Sequence, residues 1–173
     1  STTPDTSVAT SFATAERRDL TQRTDLDGMV GHGESDPLSL AGQGTITRLP
    51  GIGTVVGFGE VLAEVDGSPV LLLEGDRPAW RALDARSDDG EDIRQLEASL
   101  VALGYASADE VEVDDEWDFA TTAAVKRLQQ WWSMPVDGRI DLGEVVFRPE
   151  RVRIAVVEGH LGDAASAAGI SVT

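Results

Sequence analysis

Apolar positions change their spacing twice along this chain, and the changes divide it into three parts. Between residues 38 and 73 short apolar pieces alternate with glycines, at 45–49, 54–56, 61–65 and 69–73. Pieces of that length, broken by turn residues, predict short β-strands packed as a small sandwich or barrel. Asp66-Gly67 stands between two of them and predicts a hairpin turn, because glycine tolerates the positive φ such turns require. The spacing then becomes helical. Ile93, Leu96, Leu100 and Leu103 recur three and four residues apart, which puts them on one stripe of a helix. The acidic run at 87–92 predicts an N-terminal cap, since carboxylates favour that end. Gly104 is placed to end the helix in the left-handed conformation. A second helix is predicted over 120–132. Thr121, Ala124, Val125, Leu128, Trp131 and Trp132 share one face of it, while Lys126, Arg127 and Gln130 face out. Pro135 stops it, Asp137-Gly138 turns the chain, and 141–146 predicts a last short helical turn. Strand character returns at 152–157, before a Gly/Ala-rich stretch that closes on Ile170-Ser171-Val172-Thr173.

The order is therefore β, α, β. Neither β part buries enough surface to fold alone, so the two are expected to join, with the helical module inserted between them. The expected boundaries are a flexible leader with a weak strand over 1–37, a first β half over 38–86, helices over 87–149 and a second β half over 150–173. The overall class is α+β.

Composition removes several kinds of chemistry. The chain has 173 residues, 41 % of them hydrophobic, which suits one domain or two small ones. Its 31 Asp and Glu against 14 Lys and Arg give a net charge of −17. That balance argues against nucleic acid and against an anionic membrane surface, both of which need clustered cations. With no cysteine there is no disulfide, thiol catalysis or cysteine-held metal. No apolar run approaches the roughly 20 residues that span a bilayer, and no signal peptide is recognisable.

The residues 92–149 resemble the peptidoglycan-binding-like module, a bundle of three helices found in cell-wall proteins. Leu96, Leu100 and Leu103-Gly104-Tyr105 match its first motif. Val113-Asp114-Asp115-Glu116-Trp117, Thr121, Ala124-Val125, Gln129 and Pro135-Val136-Asp137-Gly138 match its second, in order. Asp115 and Asp118 stand where the family has glycines, Leu128 for a Phe, and Ser133-Met134 for Gly-Leu. The flanks, Gly53-Thr54-Val55-Val56 with residues 59–67 and 152–157 with 162–172, resemble the halves of a split lipoyl-like β-sandwich. Together they look like the periplasmic-adaptor (membrane-fusion) proteins of efflux systems, in the form found in high-GC Gram-positive bacteria. That resemblance implies an extracytoplasmic, envelope-associated, non-catalytic protein. Its partners would be peptidoglycan, transporter subunits and copies of itself. It also implies an anchor and a further β-barrel in a longer protein, of which this chain would be a soluble piece. A cell-wall binding protein without a transport role is the other reading of the same residues.

Chemistry narrows the candidates further. Lipoate and biotin attach to a hairpin lysine, but the one lysine, Lys126, falls on a predicted helix, so no cofactor is expected. The acidic run 109–116 invites calcium, yet an EF-hand loop started at Asp114 puts Phe119 and Val125 where Gly and Glu are needed, and a solvated loop is expected. His32 and His160 are too few and too far apart for a zinc hydrolase, and no metal site is expected. No G-x-S-x-G elbow is present and nothing pairs two carboxylates across a cleft, so no catalytic residue is named. The flat rings of Trp131 and Trp132 would suit stacking on a sugar face, but both lie on the apolar stripe with Leu128 and are read as core, with Trp131, at the edge of the stripe, expected to be the more exposed of the two. Trp117 is also read as core, and Trp80 as a wedge between modules. For ligand contact, analogy and polarity single out Asp114, Gln129, Trp131 and Asp137, beside the second helix.

Overall fold

The computed structural model describes residues 35–167 and 169–173. The weak strand expected within 20–30, and most of the leader, lie outside the described residues. Among the described residues, eight strands, two α-helices and one 3₁₀ turn follow in order. They are β1 (Asp36–Ser39), β2 (Ile46–Arg48), β3 (Val55–Val56), β4 (Val61–Val65), β5 (Ser68–Glu74), α1 (Glu91–Ala102), α2 (Phe119–Trp131), β6 (Val145–Arg148), β7 (Val152–Glu158), the 3₁₀ turn Ala165–Ala167 and β8 (Gly169–Val172). The strands form two sheets of four, in the orders β1-β8-β7-β3 and β2-β4-β5-β6.

Strands from before the helices pair with strands after them. In the first sheet β1 lies antiparallel to β8, with Leu38 opposite Ile170, and β3 lies antiparallel to β7, with Val56 opposite Val152. In the second, β4 and β5 form the hairpin the sequence predicts. Asp66 and Gly67 both have positive φ, 51° and 81°, the pattern of a two-residue turn that matches strand twist.

β5 is the pivot of the molecule. Val70, Leu71, Leu72 and Leu73 are all buried, so this strand has apolar neighbours on both faces. Val70 and Leu72 join Leu62, Ile154, Ile170 and Val172 in the core between the sheets. Leu71 and Leu73, with Val145 and Phe147 of β6, join Ile93, Leu96, Leu100, Val125 and Leu128 in a second core beneath the helices. The period-two alternation of one strand thus divides its side chains between two cores.

Two features differ from the sequence reading. Where three helices are expected over 87–149, the described residues hold two, and 145–148 is a strand. Val145-Val146-Phe147 are β-branched and aromatic, and they pair in parallel with Leu71, Leu72 and Leu73. Parallel neighbours require a crossover, and the helical module is that crossover, leaving β5 and returning in β6. Its two ends are tied by reciprocal Leu83–Ile140 backbone hydrogen bonds of 2.9 Å. β1 begins at Asp36, which pairs with Val172, two residues ahead of the start at 38 expected for the first β half.

Local chemistry explains how the helices start and stop. The acidic run does not cap α1 through a side chain; Gly90 is the N-cap. Asp92 instead is buried and takes Arg81 through two hydrogen bonds, 2.6 and 2.8 Å, from Nε and Nη2. Trp80 is half exposed rather than wedged between modules, and the Arg81 guanidinium, drawn toward Asp92, lies 5.9 Å from its ring centre. α1 ends as predicted. Gly104 has φ 80°, its N–H donates to Val101 O, and Tyr105 N–H donates to Leu100 O, which satisfies the last carbonyls. α2 is capped by Asp118, whose Oδ1 accepts from Thr121 N at 2.7 Å.

Candidate functional site

The C-terminal ends of the two helices meet the turn between β3 and β4. α1 delivers Leu103, Gly104 and Tyr105; α2 delivers Trp131 and Trp132; the turn delivers Phe58 and Gly59. These seven residues line a cleft of about 300 Å³. The approach is close, since a Cβ on Gly59 would meet Leu103 Cδ2 at 2.7 Å, and the positive φ of 78° favours glycine at this position. Trp132 is half-buried, and its Nε1 donates to the Tyr105 hydroxyl at 3.1 Å. The Tyr105 carbonyl accepts from Arg127 Nη1 at 2.9 Å, and Arg127 also pairs with Glu110. Trp131 is 74 % exposed. It therefore departs from the core position expected for it, and buried Gln129 occupies the inner side of the last turn instead.

The four residues singled out for ligand contact fall in three places. Gln129 is 1 % exposed and fully engaged. Its Nε2 donates to Asp137 Oδ1 and to the Arg139 carbonyl, both at 2.8 Å, and its Oε1 accepts from Gly138 N at 2.9 Å. Gln129 and Asp137 thus come together, as the brace of the turn that follows α2. Asp114 sits elsewhere. Its backbone N–H donates to Glu97 Oε2 at 3.0 Å, and its Oδ1 accepts from Glu116 N at 2.8 Å. Glu97 in turn accepts from the Thr121 hydroxyl at the start of α2. Ten residues of helix separate Thr121 from Trp131, roughly 15 Å of rise. Of the four, Trp131 alone lines the aromatic cleft.

Sequence reading did not single out Glu97, whose carboxylate is buried at the junction of α1, α2 and the acidic loop. Burial pushes its pKa up, against the lowering effect of its bonds to Thr121 and Asp114. A Glu beside the leucine stripe was the available signal. Phe58 was also missed, and no sequence signal links it to residues 103–105 and 131–132. Trp117, expected in the core, is half-buried against the helical core, and its Nε1 donates to Thr122 Oγ1 at 2.8 Å.

A larger groove, about 850 Å³, runs beside α1 between Glu74, Arg77, Glu91 and Arg94. Its polar groups serve the fold. Gln95 clasps the Arg77 backbone through both N–H and carbonyl, Ser99 Oγ donates to Glu74 O, and Arg94 pairs with Glu91. Among the described residues no cluster of three His, Asp or Glu is placed to hold a metal ion. His160 is exposed in a turn, with Nδ1 at 3.5 Å from Asp163. Among the described residues no helix is long and apolar enough to cross a membrane.

The segment between the Leu83–Ile140 bonds, with its two capped helices, is where a known family enters. Residues 89–143 match the family model described as "Putative peptidoglycan binding domain". The match spans both helices, the acidic loop and the Gln129–Asp137 brace, and it stops before β6. No curated protein and no solved structure matches the chain. The cleft joins the end of the matched segment to Phe58, a residue between β3 and β4 that lies outside the match.

Proposed function

We propose that the chain acts as a non-catalytic, extracytoplasmic adaptor in a membrane export complex, held at the cell wall by its helical module. One observation carries the reading. The segment similar to peptidoglycan-binding domains is the crossover between two parallel strands, and strands from either side of it share a sheet. That pairing supports a lipoyl-like sandwich split by an inserted wall module. In such an adaptor the sandwich stacks against copies of itself, and the module fixes the stack at the peptidoglycan. Lys126, on the exposed side of α2, is not on a hairpin, which favours a structural sandwich over a cofactor carrier.

Co-sedimentation of the chain with purified sacculi tests the wall-binding part. The protein is expected in the pellet, and retention in the supernatant across pH and salt would remove it. Both partners are acidic, so screening should help. Binding is expected to strengthen between low salt and about 0.1 M, where the Debye length is about 10 Å. Sedimentation velocity of the chain tests the adaptor part, with concentration-dependent self-association expected and a monomer throughout counting against it. Wall suspensions incubated with the protein should keep their turbidity; clearing would make it a lytic enzyme.

A further inference from the structure

We propose that the cleft of Phe58, Tyr105, Trp131 and Trp132 is a subsite for the ring face of one N-acetylated sugar of the wall's glycan strand. The inference rests on the peptidoglycan-binding reading and locates its contact. An indole at the end of a helix, 74 % exposed beside three other aromatic rings, is costly to leave in water unless something covers it. The shape suits a single ring. The cleft is open and about 300 Å³, at the lower end of small-ligand sites.

Charge selects the occupant. The chain carries −17, yet none of the seven lining residues is ionised at neutral pH. Burial raises the Tyr105 pKa above its ordinary 10.0, so the phenol keeps its proton. The stem peptides of the wall carry ionised carboxylates, which a chain of this charge repels. The faces of its sugars are uncharged and present C–H groups to an aromatic ring. An uncharged aromatic cleft on an acidic protein therefore fits the sugar rather than the stem. Tyr105 supplies a polar contact as well. Its hydroxyl oxygen accepts from Trp132 Nε1, while its own proton has no acceptor among the described residues and is free for a sugar hydroxyl or acetamide oxygen. Phe58 matters because it brings the sandwich into the site, so the module cut away from its sandwich would lack one wall.

The probe is a linear trimer of N-acetylglucosamine, titrated into the whole chain by calorimetry and by tryptophan emission, with a synthetic stem peptide as competitor. Saturable binding with a blue shift is expected, undisturbed by the stem peptide. Trp131→Ala and Phe58→Ala should each weaken trimer binding about tenfold, the worth of burying one ring face. Trp131→Phe should recover part of the loss. Far-UV circular dichroism and melting of Trp131→Ala should match the parent, since this side chain is exposed. Sacculus binding that Trp131→Ala leaves intact would overturn the subsite while the wall-binding reading stands. So would competition by the stem peptide, or sacculus binding without trimer binding. Trimer binding that depends on Trp131, without sacculus binding, would keep the subsite and overturn the wall-binding reading.

Discussion

Ser133 follows α2 with φ 54°, in the left-handed region. Its N–H donates to Gln130 O, and Met134 N–H donates to Gln129 O, the same closing pattern that Gly104 makes after α1. A side chain at that φ costs about 1–2 kcal/mol, part of which the freer unfolded chain of a glycine gives back. Ser133→Gly should therefore stabilise by about 0.5–1 kcal/mol, read as a higher urea midpoint with unchanged slope. Glu97 gives a prediction of opposite kind. Its pKa in the folded protein is raised, so between the ordinary value of 4.5 and the raised one the folded state binds the extra proton. Stability from this group is then greatest below 4.5 and falls as pH rises through the folded pKa. Glu97→Gln keeps an oxygen for Asp114 N–H and removes the buried charge. Melting curves across mildly acidic to neutral pH should show a smaller loss with rising pH in the variant than in the parent. Parallel profiles would assign the slope to other acids.

At the scale of elements, α1 is held at both ends by different means. Its C-terminus closes on backbone bonds at Gly104 and Tyr105, which the Leu-Gly-Tyr sequence announces. Its N-terminus depends on Arg81, eleven residues before Asp92 and outside the helix, a partner that no local pattern announces. Arg81→Ala leaves the Asp92 carboxylate buried without its cation and should cost roughly 3 kcal/mol. Amide exchange should then accelerate first at 91–95, ahead of the rest of α1, whereas a uniform change would mean the pair is not local in effect. The third helix expected before 149 was misread because Val145-Val146-Phe147 suits a strand as well as a helical turn. Only the vacant edge of β5 decides between them.

At the scale of the molecule, the helical layer and the sandwich share β5, whose Leu71 and Leu73 serve one core and Val70 and Leu72 the other. Unfolding either layer strips one face of that strand. The two layers should therefore unfold together. All four tryptophans, at 80, 117, 131 and 132, lie between β5 and β6, so their emission reports the helical layer. Far-UV circular dichroism reports both layers. The two denaturation curves should coincide; a tryptophan transition that precedes the other would mean that the crossover melts independently of its sheet.

The sequence by itself determined what depends on neighbours a few residues apart. The helix stripe at 93–103, its glycine stop, the Asp66-Gly67 turn, most strands and the peptidoglycan-binding pattern were all legible, because each is set by local backbone preference and short-range periodicity. The brace between Gln129 and Asp137 was legible only as two polar residues, not as a closed set of hydrogen bonds. Which faces meet was left to the tertiary structure. The Arg81–Asp92 pair spans eleven residues that no local pattern links, and the parallel docking of β6 on β5 and the meeting of Phe58 with Tyr105 and Trp131 join residues far apart in the chain. Such contacts depend on how the layers pack, as in the burial of β5 between two cores, a free energy that belongs to the whole assembly of layers and to no single segment of sequence.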